Sequence, residues 1–273
     1  MALTTAGMTL STADFEFVRD FARKNVGINL NDEKRAMVRG RLSKRARALG
    51  LSSISEYLDI VRSPDTSELI EFTNAITTNL TSFFREQHHF EELRGIIAAK
   101  EEARQRRLRI WSAACSTGQE PYSIAVTILD SPAADGWDVK VLATDVDSNV
   151  LAKAERGEYA AGDVATMSKS QLARFEVSPD AKVVRAGSAM RSMIRFRRLN
   201  LLDPWPVRGP FDVIFCRNVL IYFDRALQAR LVDRFVSLLS PGGVLFLGHS
   251  ESLCGVHSEL SSCGKTMFRR RSR

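Results

Sequence analysis

The residues with the most chemical content gather in 107–123, RLRIWSAACSTGQEPYS. Leu108, Ile110 and Trp111 make a short apolar run. Ala113-Ala114-Cys115-Ser116-Thr117-Gly118 is a turn of small residues, and Gln119-Glu120-Pro121-Tyr122-Ser123 opens an apolar periodic stretch. Strand, tight turn and helix in that order form the first unit of a nucleotide-binding α/β sheet. Small residues let a ligand approach the backbone, and Gly118 supplies a conformation other residues resist. An acid just past the turn, Glu120, suits a ligand with a positive group better than one with a phosphate. Asp145 ends the next apolar run, about 20–30 residues on, where such sheets hold a ribose diol. Its neighbour Asp147 can cap the following helix equally well, so one acid can cap and the other bind.

These residues need a sheet to position them, and the chain alternates accordingly. Strands are expected near 108–113, 139–144, 194–198, 211–216 and 244–248, with helices near 120–129, 148–156 and 225–239. Residues 158–192 break the alternation and read as a small insertion ending in a hairpin over about 178–192. The tail at 265–269 can return as an antiparallel edge strand, followed by a frayed Arg-rich end.

The first ninety residues read as a helical domain (1–90), with 91–273 as the α/β domain. Residues 1 to about 12 are expected to be loose. Ser11 or Thr12 caps a helix over 13–25 whose stripe is Phe15, Phe17, Val18 and Phe21. A second helix, 32–49, turns Met37, Leu42 and Ala46 inward and carries Lys34, Arg35, Arg39, Arg41, Lys44, Arg45 and Arg47. Ser53 and Glu56 make a capping box for a third, and a fourth covers about 66–77. Seven cations on one helix exceed what solubility requires, and a docking face for an acidic partner stands against the plainer reading of a solvated surface. The connector 76–86, ITTNLTSFFRE, is rich in hydrogen-bonding side chains, which suggests ligand contact rather than a plain linker. A helix follows over 87–99. His88 and His89 are expected on different faces of it, unable to share a metal.

With 273 residues the chain can hold an α/β domain and a smaller one. No run approaches the roughly 18 apolar residues of a membrane span. The N-terminus lacks a signal-peptide pattern, so a cytoplasmic protein is expected. The four cysteines have no CxxC spacing and read as reduced, mostly packed thiols, with no metal site expected. A net charge of +7 favours acidic partners.

Beyond the strand ends meet Ser112, Glu120, Asp145, Asn200, Leu201, Cys216, Arg217 and Asn218: a carboxylate for a cation, one for a diol, and an amide region for a base. There is no GxGxxG phosphate loop and no Walker lysine. A nucleoside with a positive centre and no phosphate fits, which is S-adenosylmethionine (SAM). The [DN]PP[YF] signature of nucleic-acid amino methyltransferases is missing from the fourth strand, and nucleic acid is not expected as a partner.

The motifs ITTNLTSFFRE, SAACSTGQEPYS, LATDVD, LNLLDPW, FDVIFCRNVLIYFD, SPGGVLFLGHSE and the basic RLSKRARALGL stand in order along nearly the whole chain. Together they resemble the CheR-type chemotaxis receptor glutamate O-methyltransferases. The resemblance implies a Rossmann-like class I SAM methyltransferase domain, a small N-terminal helical domain and an inserted small β-subdomain. It also implies that Asn79, Thr81 and Arg85 lie at the cofactor, with Arg85 facing its carboxylate and reacting end. Glu120 would hold the methionyl ammonium, Asp145 the ribose, and Asn200 and Leu201 the adenine. Cys216 and Arg217 would contribute largely backbone contacts, with Asn218 beside them, and Tyr222 would lie near the methyl group. Arg85 and Tyr222 are then the catalytic orienters, and S-adenosylhomocysteine (SAH) is the product. Lys34, Arg41 and Arg47 match positions implicated in receptor recognition.

The implied partner is the cytoplasmic helical bundle of a methyl-accepting chemoreceptor, met by a monomer with no membrane insertion. Some members bind a receptor's C-terminal pentapeptide tether through the β-subdomain; the short hairpin here predicts a tether-independent enzyme. Two alternatives stay open. One is methylation of another acidic protein or of RNA. The other is a non-catalytic SAM-binding adaptor, against which Arg85, Glu120, Asp145 and Tyr222 count.

Overall fold

The structure, a computed structural model, describes residues 8–63, 66–251 and 257–272. The loose start expected at 1–12 therefore lies largely outside the described residues, as do Cys254 and the terminal Arg273. The chain forms two compact units. One ends at Thr78 and takes in Tyr222–Asp224; the other runs Asn79–Ile221 and resumes at Arg225. The connector from Asn79 onward thus belongs with the α/β unit.

The first unit holds four helices among its described residues: α1 (Thr12–Val26), α2 (Arg35–Ala48), α3 (Ile54–Arg62) and α4 (Leu69–Ile76). Ser11 caps α1 by accepting the Asp14 N–H at 3.0 Å, and Gly27 ends it at φ 75°. Phe15, Val18 and Ala22 of α1 are buried, while Phe17 and Phe21 sit half-buried against Phe72 of α4. Ser53 caps α3 by accepting the Glu56 N–H, but the Glu56 carboxylate accepts from Ser52 and not from the Ser53 N–H, so only half of the expected capping box forms. On α2 the buried face is Val38, Leu42, Ser43 and Ala46: Leu42 and Ala46 turn inward as expected, while Met37 is only half-buried and Val38 is buried beside it. Glu68 is buried under α2, where the Arg45 guanidinium forks onto it and Tyr57 Oη donates at 3.1 Å.

The second unit opens with α5 (His88–Glu102) and continues β1 (Arg107–Ser112), α6 (Gln119–Leu129), β2 (Asp138–Asp145) and α7 (Ser148–Arg156). The insertion follows, with β3 (Glu158–Ala160), α8 (Lys169–Leu172), β4 (Phe175–Val177), β5 (Val183–Ala186) and α9 (Ser188–Met193). The unit closes with β6 (Ile194–Arg198), β7 (Phe211–Cys216), α10 (Arg225–Leu238), β8 (Leu239–Leu247), β9 (Leu260–Gly264) and β10 (Met267–Arg270). The large sheet has the order β6-β2-β1-β7-β8-β10-β9. Its central pairs are parallel, and β10 alone runs antiparallel to its neighbours. The central strands are apolar on both faces, as buried parallel strands must be; in β7 every residue but Asp212 is buried.

Two expectations are corrected here. The returning tail strand is not at the edge: β10 pairs with β8 on one side and with β9 on the other, so a terminal hairpin completes the sheet. The polar β9, LSSCG, carries too weak an alternation to read as a strand. The insertion is more than a hairpin, since β3 also pairs with β5 and makes a three-stranded sheet in the order β3-β5-β4.

Candidate active site

The order of the large sheet reverses between β1 and β7. Ligands of open α/β sheets sit beyond the carboxyl ends of the strands at such a switch point. The turn after β1 is held tightly there. Cys115 N–H donates to the Thr144 carbonyl at 2.9 Å, and Tyr159 Oη donates to the Thr117 carbonyl at 2.8 Å. Gly118 has φ 96°, and a Cβ on it would stand 2.6 Å from Tyr159 Oη and 2.9 Å from Ala154 Cβ. Only glycine fits, for both conformation and space.

The two carboxylates at the strand ends sit differently. Asp145 is buried and accepts the Ser116 N–H at 2.8 Å and the Asp147 N–H at 3.0 Å. Burial pushes its carboxyl up to about 6, against those hydrogen bonds. Asp147 caps α7 through the N–H groups of Asn149 and Val150. Of the two acids, either of which could cap on sequence grounds, Asp147 is the cap. Asn79 is tied to the same corner. Its Nδ2 donates to Asp147 Oδ2 at 2.7 Å, and its carbonyl accepts from Ser116 Oγ at 3.1 Å.

Glu120 at the start of α6 accepts from Ser112 Oγ at 2.7 Å and from Arg217 Nη1 at 3.0 Å. Arg217 is more than a backbone contact. Its side chain is 2% exposed, donates to the Arg85 carbonyl, lies 3.6 Å from Glu86 Oε2 and rests over the Phe90 ring. Burial raises the Glu120 carboxyl despite this guanidinium. Burial also works to raise Glu86, but Arg217, His249 and Asn218 bring it down to about 2. Glu86 further accepts the His249 N–H and faces His249 Nδ1 at 3.1 Å. Glu251, buried beyond β8, accepts the N–H groups of Asn218 at 2.9 Å, Ile221 at 3.3 Å and Gly248. It fixes the turn after β7, where Asn218 takes a left-handed φ of 57°.

Asn200 accepts the Leu202 N–H at 3.1 Å, closing a turn beyond β6 with Leu201 buried. Cys216 is buried at the end of β7, and burial holds its thiol well above the usual range. Arg85 is half-buried and donates to the Leu80 carbonyl at 3.0 Å; Thr81 is half-buried nearby in the chain. The α/β unit thus contains Asn79, Thr81, Arg85, Glu120, Asp145, Asn200, Leu201, Cys216, Arg217 and Asn218. Tyr222 belongs to the other unit, where its carbonyl accepts the Asn29 N–H at 3.0 Å. Lys34, Arg41 and Arg47 are also in that unit. Arg41 is spoken for: its guanidinium donates to the carbonyls of Ala75 and Thr77 and caps the end of α4. Lys34, Arg39, Lys44 and Arg47 are exposed, with no side-chain partner among the described residues.

The two imidazoles expected to diverge lie with ring centroids 4.1 Å apart, and with Glu86 they bring candidate ligand atoms within 4.8 Å. Position at the first turn of α5, rather than in its interior, lets both rings lean toward Lys265-Thr266, which each contacts. Burial, then Arg217, lowers His89 to about 3, so it is neutral.

Sequence reasoning missed three residues that shape this site: Glu86, the Arg217 side chain and Glu251. Glu86 and Glu251 stand within motifs quoted above, but nothing in their spacing announces pairings that reach 33 positions from Glu251 and 132 and 163 from Glu86.

The charges decide what the crevice accepts. Glu86 and Glu120 share the single guanidinium of Arg217, and Asp145 has no cationic partner among the described residues. The net negative charge suits a cationic amino-acid head, and the unpaired Asp145 suits a diol. Together with a sheet whose one antiparallel strand lies next to the edge, this defines a class I SAM-dependent methyltransferase with SAM as cofactor.

Comparison with known proteins narrows the class. The model of the CheR methyltransferase SAM binding domain matches residues 79–269, and that of the CheR methyltransferase all-alpha domain matches residues 13–77. The chain is 43% identical over 269 residues to the chemotaxis protein methyltransferase of Salmonella typhimurium, covering 97% of this chain and 92% of that one. It is 42% identical to chemotaxis protein methyltransferase 2 of Pseudomonas aeruginosa, covering 93% and 92%. With the Escherichia coli chemotaxis protein methyltransferase the identity is 41%, covering 97% and 93%. The chain belongs to the CheR methyltransferase family.

Proposed function

We propose that this protein methylates glutamate side-chain carboxylates in the cytoplasmic helical bundle of chemoreceptors, forming glutamyl methyl esters for chemosensory adaptation. The observation that carries the reading is the match to chemotaxis protein methyltransferases across both parts of the chain. Bound SAM supplies an activated sulfonium methyl. A glutamate carboxylate is ionised near neutral pH, so no general base is required. The protein's work is positioning. In this reading Glu120 receives the methionyl ammonium, kept in place by Arg217 and Ser112. Asp145 takes the ribose hydroxyls, with Asn79 tying the connector to that corner through Asp147. Asn200 and Leu201 flank the adenine, and Cys216, Arg217 and Asn218 line the crevice by their backbone. Thr81 and Arg85 face the reacting end, where Arg85 and Tyr222 orient the substrate carboxylate.

Receptor docking falls to Lys34, just before α2, and to the exposed cations of α2, Arg47 with Arg39 and Lys44, with Arg41 contributing the shape of the helix pair rather than a free charge. No helix among the described residues is long and apolar enough to cross a membrane. We place the enzyme in the cytoplasm as a monomer independent of a pentapeptide tether; micromolar binding of such a peptide would contradict the last point. The function is tested by methyl-labelled SAM with receptor signalling domains. Label released by mild base supports the glutamyl ester. Base-stable label, label in RNA, or SAM binding without transfer overturns it.

A further inference from the structure

The segment 199–210 between β6 and β7 has no regular secondary structure, yet the proposed adenine contacts, Asn200 and Leu201, lie at its start. Within it Asn200 Oδ1 accepts the Leu202 N–H, and the Asn200 carbonyl accepts the Asp203 N–H at 3.2 Å. A turn this short does not hold a ligand wall still without outside support. Part of that support is a side chain of α10. Arg234 Nη1 donates to the Leu201 carbonyl at 2.8 Å and Nη2 to the Asp203 carbonyl at 2.6 Å. The same guanidinium lies 3.7 Å from the centroid of the Trp205 ring. Trp205 Nε1 donates to the Leu201 carbonyl as well, at 3.1 Å. Trp205 is itself anchored, with ring centroids 4.9 Å from buried Trp111 of β1 and 4.8 Å from Phe235. The planar fork of an arginine can span two carbonyls two residues apart while stacking on an indole; a lysine ammonium offers neither the span nor the flat face.

We infer that Arg234 is a positioning residue for the adenine wall. It pins Leu201 and Asp203 from α10 and, through Trp205, to the core of the sheet, so that Asn200 and Leu201 stand preset for the base. The inference deepens the proposed reading of Asn200 and Leu201 as adenine neighbours and rests on it. The site at Glu120 is built from other elements, so the effect should fall on cofactor affinity and spare the transfer step.

The test is SAH binding by calorimetry, with steady-state kinetics on a receptor signalling domain, for Arg234→Lys, Arg234→Met and Asn200→Ala. Both Arg234 variants should weaken SAH and raise KM for SAM about tenfold, with kcat within about twofold and Lys no better than Met. Unchanged SAH affinity in Arg234→Lys overturns the inference, as does rescue by lysine, which would show that charge alone matters. A parallel loss of kcat and thermal stability, with affinity intact, would reduce Arg234 to a structural role. Asn200→Ala separates the two levels. If it leaves SAH affinity intact, the adenine reading of Asn200 fails. If it weakens SAH while Arg234→Met does not, the adenine reading stands and the Arg234 inference falls.

Discussion

The carboxyl of Asp145 gives a pH dependence that can be worked out in advance. Burial moves it from its ordinary 3.8 to about 6 in the free protein. A diol that donates to this carboxylate needs it ionised. Affinity then scales with the ionised fraction, which at pH 5 is roughly one part in eleven and at pH 7 roughly ten parts in eleven. SAH should therefore bind about tenfold more weakly at pH 5 than at pH 7. Asp145→Asn removes the titration and should flatten this part of the curve, at a cost in affinity of about 1.5–3 kcal/mol at pH 7 for a lost charged hydrogen bond. The sign for stability is opposite to that of a salt-bridged acid. Between about pH 4 and pH 6 the folded state holds a proton that the unfolded chain has released, so stability falls as pH rises, by about 3 kcal/mol across the window. Glu120 is also raised and titrates in the same sense, so the informative quantity is the difference between the native protein and Asp145→Asn. The assay is calorimetric SAH titration at pH 5, 6 and 7, with denaturant unfolding over the same range. An affinity that is flat from pH 5 to pH 7, or a slope unchanged by Asp145→Asn, would refute the reasoning.

Three further perturbations probe other parts of the structure. Gly118→Ala forces a side chain into a left-handed turn 2.6 Å from Tyr159 Oη and should destabilise by about 2–4 kcal/mol, read by denaturant midpoint; an unchanged midpoint would contradict the turn geometry. Arg217→Met strands Glu120 and Glu86 and should cost about 3 kcal/mol at pH 7 but less at pH 5, where Glu120 can protonate, so a pH-independent loss would argue against the buried pair. On α2, Arg47→Glu should weaken receptor methylation and reduce its salt sensitivity with SAH binding intact, whereas Arg41→Glu should lower thermal stability as well, because it uncaps α4. Equal stability of the two variants would remove the structural role assigned to Arg41.

What was legible in the sequence is what depends on short range. The β1 turn and its glycine, the caps at Ser11 and Ser53, and the parallel strand FDVIFC follow from neighbours a few residues apart. The acids beyond the strand ends, with no phosphate loop, pointed to the cofactor, and the family resemblance added the substrate and the connector's residues. The tail was misread because β9 is short, polar and an edge strand, so its membership of the sheet comes from pairing with β10 and not from its own pattern. On α2 the stripe was legible at Leu42 and Ala46 but not at Ser43, a polar residue that joins the buried face by bonding back to the Arg39 carbonyl at 2.7 Å.

The buried charge network was not legible, for a physical reason. An ionised group can be buried only with a partner, but the chain sets no limit on where that partner sits. Arg217 meets Glu120 across 97 residues and the Arg85 carbonyl across 132. Neither pairing has a sequence period; the Glu120 pairing exists because β1 and β7 are adjacent at the switch point, and the Arg85 contact because the connector also reaches Arg217. From sequence, Glu120 looked like a lone acid awaiting a cation. The structure gives it a resident guanidinium that it shares with Glu86. In the proposed reading, that sharing is what keeps the site selective for a positive ligand. One arginine between two carboxylates leaves negative charge unsatisfied, while a one-to-one pair would have left the crevice neutral and with no electrostatic reason to take up an ammonium.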